Sequence, residues 1–150
     1  MKSQRRILLV EDSENDVTLT LEALGEAKIG DDVVVVRDGQ EALDYLFRTG
    51  AYADETRALP DVVLLDLKLP RVNGLEVLAK VKADARLKQI PVVMLTSSEE
   101  DADLERSYGL GVNAYVVKPT SFTDFSAMVK KLGRFWAVLN QPPVLGWAAT

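Results

Sequence analysis

The sequence contains no cysteine and no histidine. The first absence removes disulfides, thiolate metal sites and thiol nucleophiles together, and it fits the reducing cytoplasm. The second removes histidine triads, histidine zinc sites and the side chain that most readily shuttles protons near neutral pH. Chemistry in this chain must therefore run on carboxylates, hydroxyls, amines and a hard metal ion if one takes part. Basic charge is short as well: 18 lysines and arginines stand against 23 acids, a net charge of −5. That leaves no electrostatic footprint for nucleic acid and favours cationic partners only weakly. No apolar run approaches the roughly 20 residues that span a bilayer, so no membrane partner is expected. The start, "MKSQRRILLV", has the charge of a signal peptide, but its apolar stretch ends at Val10 and is followed by Glu11. It reads as a first core strand.

What is present is the material of one domain. With 150 residues, 47% hydrophobic and 27% charged, the chain has the length and balance of a compact fold with a sizeable core. Ile7–Val10, Val33–Val36, Val62–Leu65, Pro91–Leu95 and the shorter Ala114–Val117 are β-rich apolar runs without polar alternation. Parallel strands covered on both faces have that pattern. Between them the apolar period becomes helical. Val17, Leu21 and Leu24 follow a cap candidate at Ser13, and Asp38 with Glu41 makes a capping-box pattern before Ala42, Leu43 and Leu46. Val77, Leu78 and Val81 mark a helix over 74–83, and Leu104 and Tyr108 one that ends near Gly109. Phe122, Phe125, Val129, Leu132, Trp136 and Leu139 mark the last. The alternation predicts an α/β fold: a doubly wound five-stranded parallel sheet of order 2-1-3-4-5 with five helices. Its functional crevice should lie at the carboxyl ends of the strands. "TGAYADETRALP" is long for the connection it makes and is either functional or an insertion.

Reactive side chains follow the strands. Glu11-Asp12 follows the first, Asp66 the third, Thr96-Ser97-Ser98 the fourth and Lys118-Pro119 the fifth. On a doubly wound sheet these tips share one edge, where carboxylates, a hydroxyl and an amine would converge. Clustered carboxylates repel and call for a cation, and oxygen donors without cysteine or histidine point to Mg²⁺. An aspartate placed there can be a nucleophile that forms an acyl phosphate. Lys118 and Thr96 would then serve the phosphoryl oxygens. Singly, each residue has a plainer account: Asp66 as a turn residue, Glu11-Asp12 as first-turn acids, Thr96 and Ser97 as caps, Lys118 as a solvated amine. It is their coincidence at four strand tips that carries weight. "GLGVNA", residues 109–114, matches G-x-G-x-x-A but follows a helix and precedes a strand, the reverse of a dinucleotide fingerprint. It reads as a helix end and turn.

"LLVED", "VVLLDLKLPRVNG", "PVVMLTSS" and "NAYVVKP", in this order and spacing over about residues 5–139, resemble the receiver domain of two-component response regulators, a flavodoxin-like fold. The resemblance implies that Asp66 is the phosphoacceptor and that Glu11, Asp12, Asp66 and the backbone carbonyl of Lys68 hold Mg²⁺. It makes Thr96 the switch hydroxyl, Lys118 the phosphate-binding lysine and Tyr115 the aromatic that changes rotamer. It also implies a cis peptide before Pro119. "YLFRTGAYADETRALPDVVLLDLKLP", "DARLKQIPVVMLTSS", "SYGLGVNAYVVKP" and the terminal "FW…PP" are closer to single-domain regulators paired with bacterial phytochrome histidine kinases. The donor histidine then belongs to the partner, which is compatible with its absence here. Lys68 departs from the pattern, since many relatives carry asparagine there.

The last helix carries more apolar residues than one buried stripe needs. With the tail "NQPPVLGW" and Trp147 it points to a homodimer, the alternative being a tail folded on its own domain. Residues 1–139 read as the receiver and 140–150 as a tail too short for an output domain. The protein would then act in the cytoplasm by docking or in a phosphorelay. Three functions remain: a phosphoaccepting signalling module, a receiver-like interaction protein that takes no phosphate, and a small Mg²⁺-dependent phosphatase using Asp66.

Overall fold

The computed structural model describes residues 5–143. Five parallel strands, β1 (Ile7–Val10), β2 (Val33–Val36), β3 (Val62–Leu65), β4 (Val92–Thr96) and β5 (Ala114–Val117), form one sheet in the order β2-β1-β3-β4-β5. The helices are α1 (Glu14–Glu26), α2 (Gly39–Phe47), α3 (Gly74–Ala83), α4 (Asp101–Gly109) and α5 (Phe122–Arg134). The predicted architecture is present, with β4 displaced by one residue so that Thr96 is its last member.

The unbroken apolar strands are explained by two cores. Leu8, Val10, Val63, Leu65 and Met94 face α2 and α3, where Ala42, Leu46, Leu78 and Val81 meet them. Ile7, Leu9, Val62, Leu64 and Val93 face α1 and α5, against Val17, Leu24, Phe125 and Val129. Each side chain so buried is worth roughly 1.5–3 kcal/mol, and a polar residue on either face of β1 or β3 would forfeit that.

Four helices start at a side-chain cap. Ser13, Asp38, Asn73 and Ser121 accept the backbone N–H of Asp16, Glu41, Glu76 and Asp124, satisfying donors a helix start leaves open. Glu41 reaches back to the N–H of Arg37, one residue before the position that a capping box uses.

Three expectations need correction. Leu104 and Tyr108 on α4 are exposed, while Asp103 and Ser107 face inward. The inner face of α4 is satisfied by hydrogen bonds: Ser98 Oγ donates to Asp103 Oδ2 at 2.6 Å and Ser107 Oγ to the Asp103 carbonyl at 2.8 Å. The last helix does not run on regularly to Leu139. It widens after Arg134 into a π-helical turn, Phe135–Leu139, and its buried residues are Phe125, Val129, Gly133 and Ala137. Phe122 and Leu139 are left outside. The Lys118–Pro119 peptide is trans, as is every peptide bond among the described residues, and trans is the lower-energy isomer for an X–Pro bond. Trp147 lies outside the described residues.

The long loop after α2 is packed down. Arg48 caps the helix in the left-handed region, lies 4.8 Å over the Tyr45 ring and donates to the Arg57 carbonyl, while Tyr52 donates to Glu41. "GLGVNA" is a helix end: Leu110 caps α4, Gly111 has φ +102° and the Asn113 side chain accepts the N–H of Val92.

Two glycines pin the loop between β3 and α3. A Cβ on Gly74 would stand 2.2 Å from the Asp66 carbonyl, and one on Gly39 1.7 Å from the Val72 carbonyl. A Cβ on Gly25 would meet nothing within 4 Å. Gly74→Ala should therefore lower the unfolding free energy by about 2–3 kcal/mol. Gly25→Ala should raise it by roughly 0.5–1 kcal/mol, alanine being the better helix residue. Urea denaturation of both variants checks this, and equal effects would refute the contact.

Candidate functional site

The parallel ladder continues beyond the strand ends and brings the tips together. The N–H of Glu11 donates to the Val36 carbonyl, that of Asp66 to Val10 and that of Lys118 to Thr96. With Val10 registered against Leu65, Glu11 and Asp66 become neighbours on the sheet edge. The amine of Lys118 crosses to them from β5. Its Nζ lies 2.6 Å from Glu11 Oε1, 2.8 Å from Asp16 Oδ2 and 3.4 Å from Asp66 Oδ2.

Two of these carboxylates are also fixed from their own turns. Glu11 Oε2 accepts the N–H of Ser13 at 3.1 Å, and Asp66 Oδ1 that of Leu67 at 2.7 Å. Glu11 and Asp66 are buried, whereas Asp12 is exposed at the rim. One oxygen from each of Glu11, Asp12 and Asp66 lies within 4.8 Å of the others.

Three carboxylates, Glu11, Asp16 and Asp66, thus meet one amine, with Asp12 close to two of them. Burial pushes the carboxyl of Glu11 up to about 7; the Lys118 bond opposes this and the charge of Asp66 adds to it. Burial alone would lower the Lys118 amine, but the bonds from Asp16 and Glu11 and the charge of Asp66 outweigh it and hold the amine above its ordinary value. The pocket remains short of positive charge, and three mutually close oxygens on its open side fit a hard divalent cation.

Thr96 and Tyr115 belong to a chain of hydrogen bonds beside this pocket. Thr96 Oγ1 is buried and accepts the N–H of Ser98 at 3.2 Å, and the Ser98 carbonyl accepts Tyr115 Oη at 3.1 Å. Ser98 Oγ donates to Asp103 on α4. Lys68 is exposed on the loop after β3, in the wall of a neighbouring cleft with Asp12.

Sequence reasoning missed Asp16 and Asp103, and it set Ser98 at the strand tip without a role of its own. An acid in the first turn of a helix is ordinary, so Asp16 carried no signal until Lys118 reached it. Asp103 could have been noticed as a carboxylate on the inward side of α4.

The chain is similar to known proteins over most of its length. A family model described as the response regulator receiver domain matches residues 7–130. Response regulator Rcp1 of Synechocystis sp. is 42% identical over 130 residues, which are 87% of this chain and 87% of Rcp1. The Mn(2+)-bound form of Rcp1 superposes with a TM-score of 0.87 at 40% identity, covering 93% of this chain and 99% of that one. The phosphorylated cyanobacterial phytochrome response regulator RcpA gives a TM-score of 0.88 at 42% identity over 94% of this chain and 99% of its own. Bacteriophytochrome response regulator RtBRR is 57% identical with a TM-score of 0.74, over 94% and 85%.

The acidic pocket makes a direct prediction for metal binding. Asp12→Asn should weaken Mn²⁺ affinity about tenfold or more in a calorimetric titration. Unfolding free energy measured in chelator should not fall, because the variant removes an exposed acid from a crowded group. An affinity change below twofold would strike Asp12 from the ligand set.

Proposed function

The chain belongs to the response regulator receiver family, and on that footing we propose that Asp66 accepts a phosphoryl group from the phosphohistidine of a partner kinase in a Mg²⁺-dependent reaction. The observation that carries this reading is the reach of Lys118 Nζ to Glu11 and Asp66 at once. Mg²⁺, held by Glu11, Asp12, Asp66 and the Lys68 carbonyl, would offset charge on the phosphoryl oxygens. The Asp66 carboxylate attacks phosphorus, and the bond to the kinase nitrogen breaks. Lys118 then turns from Asp66 to a phosphoryl oxygen, while Asp16 and Glu11 keep the amine protonated.

Switching follows from the same bonds. The Thr96 hydroxyl donates to the phosphoryl group and moves toward it, drawing on the N–H of Ser98 and releasing Tyr115 from the Ser98 carbonyl. The surface of α4, β5 and α5 changes shape as a two-state element biased by local charge. The protein acts on its own Asp66 and turns over no substrate. Its similarity to RcpA and RtBRR supports a bacteriophytochrome kinase as the partner, and hence action in the cytoplasm.

Intact mass after incubation with a small phosphodonor and Mg²⁺ tests the assignment. A labile phosphate adduct is expected in the wild type and none in Asp66→Asn. No wild-type adduct would favour an interaction protein, and steady release of many equivalents a phosphatase. The same assay followed in time reads the effect of Lys68: its amine hinders the water that attacks the acyl phosphate. Lys68→Asn should therefore shorten the adduct's lifetime.

We further infer that residues 1–139 form the receiver, with 140–150 a tail, and that two copies pair through the last helix and C-terminal region. Phe135, Val138 and Leu139 are exposed together on the π-helical turn, an apolar group that a monomer leaves in water. Sedimentation at micromolar concentration should give a dimer that Leu139→Asp dissociates. A wild-type monomer would refute the pairing.

A further inference from the structure

Of the three carboxylates that meet the Lys118 amine, Asp66 is the weakest partner. Lys118 Nζ lies 2.6 Å from Glu11 Oε1 and 2.8 Å from Asp16 Oδ2, but 3.4 Å from Asp66 Oδ2. Asp16 differs from the other two in a second way. The acids whose oxygens are close enough to share an ion, among the described residues, are Glu11, Asp12 and Asp66. A divalent cation would draw on Glu11 and Asp66, whereas the hold of Asp16 on the amine need not be shared with it.

Asp16 is firmly mounted. Its N–H donates to Ser13 Oγ at 3.2 Å, and the next residue, Val17, is buried in the core. A helix start capped by Ser13 and carrying Glu14 in its first turn has no need of another acid for its dipole. The Asp16 side chain is 24% exposed and faces an amine that is 7% exposed, so their bond acts where water screens it little.

Asp66 Oδ1 is occupied by the N–H of Leu67, which leaves Oδ2 as the oxygen with a lone pair to spare. An ammonium seated on Oδ2 would tie up that lone pair and stand in the path of phosphorus. We propose that Asp16 is a positioning residue: it draws the Lys118 ammonium off Asp66 Oδ2 and holds it where a phosphoryl oxygen can meet it. This deepens the reading of Asp66 as the phosphoacceptor and rests on it. In transfer, Oδ2 bonds to phosphorus while the bond from phosphorus to the donor atom breaks, and that atom keeps the electron pair. Lys118 gives up no proton. Its ammonium exchanges the long contact to Asp66 for one to a phosphoryl oxygen and keeps Asp16 throughout. With a neutral residue at position 16, the ammonium settles between Glu11 and Asp66, and attack must first displace it.

The rate at which acetyl phosphate labels the full chain at saturating Mg²⁺, followed by intact mass, tests the inference. Asp16→Asn should lower that rate about tenfold, the scale of one charge-assisted hydrogen bond. Asp16→Glu, which restores the charge, should retain most of the wild-type rate. The Mg²⁺ concentration that gives half the maximal rate should stay within threefold, since no ligand is lost. A rate for Asp16→Asn within twofold of wild type, an equal loss in Asp16→Glu, or a larger shift in the Mg²⁺ requirement would overturn the proposal. Unfolding free energy in chelator gives a readout without metal. Asp16→Asn and Lys118→Gln combined should cost less than the two single changes summed, because each alone breaks the same bond. Additive costs would overturn the proposal as well. A wild-type chain that takes a label absent from Asp66→Asn keeps the phosphoacceptor reading standing in either case. One that takes none would bring down that reading and this inference together.

Discussion

One buried amine organises the carboxyl edge of this sheet. Lys118 stands at the end of β5, yet it touches residues from the β1 turn, from α1 and from the β3 turn. Without it, Glu11 and Asp66 would share a buried corner with no cation among their recorded partners, and burying an unpaired ion costs several kcal/mol even after relaxation. The amine does not finish the compensation, since three acids meet it and Asp12 stands beside two of them. That residual imbalance suits the pocket to a divalent ion. Under the proposed function, folding and chemistry compete for one side chain: the bond that steadies the resting edge is the one Lys118 would surrender to a phosphoryl oxygen.

The second constraint is the loop that follows Asp66. It cannot slide, because Gly39 and Gly74 let α2 and α3 approach its backbone more closely than any Cβ allows. Within it, the Val72 N–H donates to the Pro70 carbonyl at 2.8 Å around Arg71, whose φ is +66°. Such a three-residue turn is strained for a residue with a side chain. It is held by the Gly39 N–H on the Pro70 carbonyl and by Arg71 on Asp38. The ion pair is exposed and contributes little alone, so the close backbone packing carries the restraint. Lys68 and its carbonyl are thereby presented from a stiff support, which would suit the proposed ligand role, since Mg²⁺ demands near-octahedral geometry.

Most of this arrangement was legible in the chain because strand burial and strand ends leave one-dimensional traces. Ile7–Val10 and Val62–Leu65 are apolar without alternation since both faces are covered, and the residue after each run had to be at the edge. The caps Ser13 and Asp38 were readable for the same local reason, since each bonds within three residues of itself, whereas Asn73 and Ser121 cap in the same way without having been read so. What stayed hidden depends on partners far along the chain. Asp16 gains its meaning from an amine 102 residues away. Helix α4 misleads because a serine from the preceding loop satisfies Asp103, so that the polar face turns inward and Leu104 and Tyr108 turn out. The π-helical turn after Arg134 leaves no periodic signal at all, since a single wider turn shifts the stripe without breaking it.

The inverted α4 also explains how a small local event could travel. A helix packed by leucines into a core has one good position, and moving it sacrifices dispersion contacts everywhere along the face. A helix fastened inward by Asp103 and Ser107 has discrete alternatives, because hydrogen bonds can be exchanged one for another at little net cost. Ser98 is the hinge of that exchange: its N–H serves Thr96, its carbonyl serves Tyr115 and its hydroxyl serves Asp103. Displacing Thr96 alters the first of these bonds, and the other two redistribute. Under the proposed function, the polar underside of α4, which looks like a defect in the core, would be what lets one phosphoryl group choose between two arrangements of this edge.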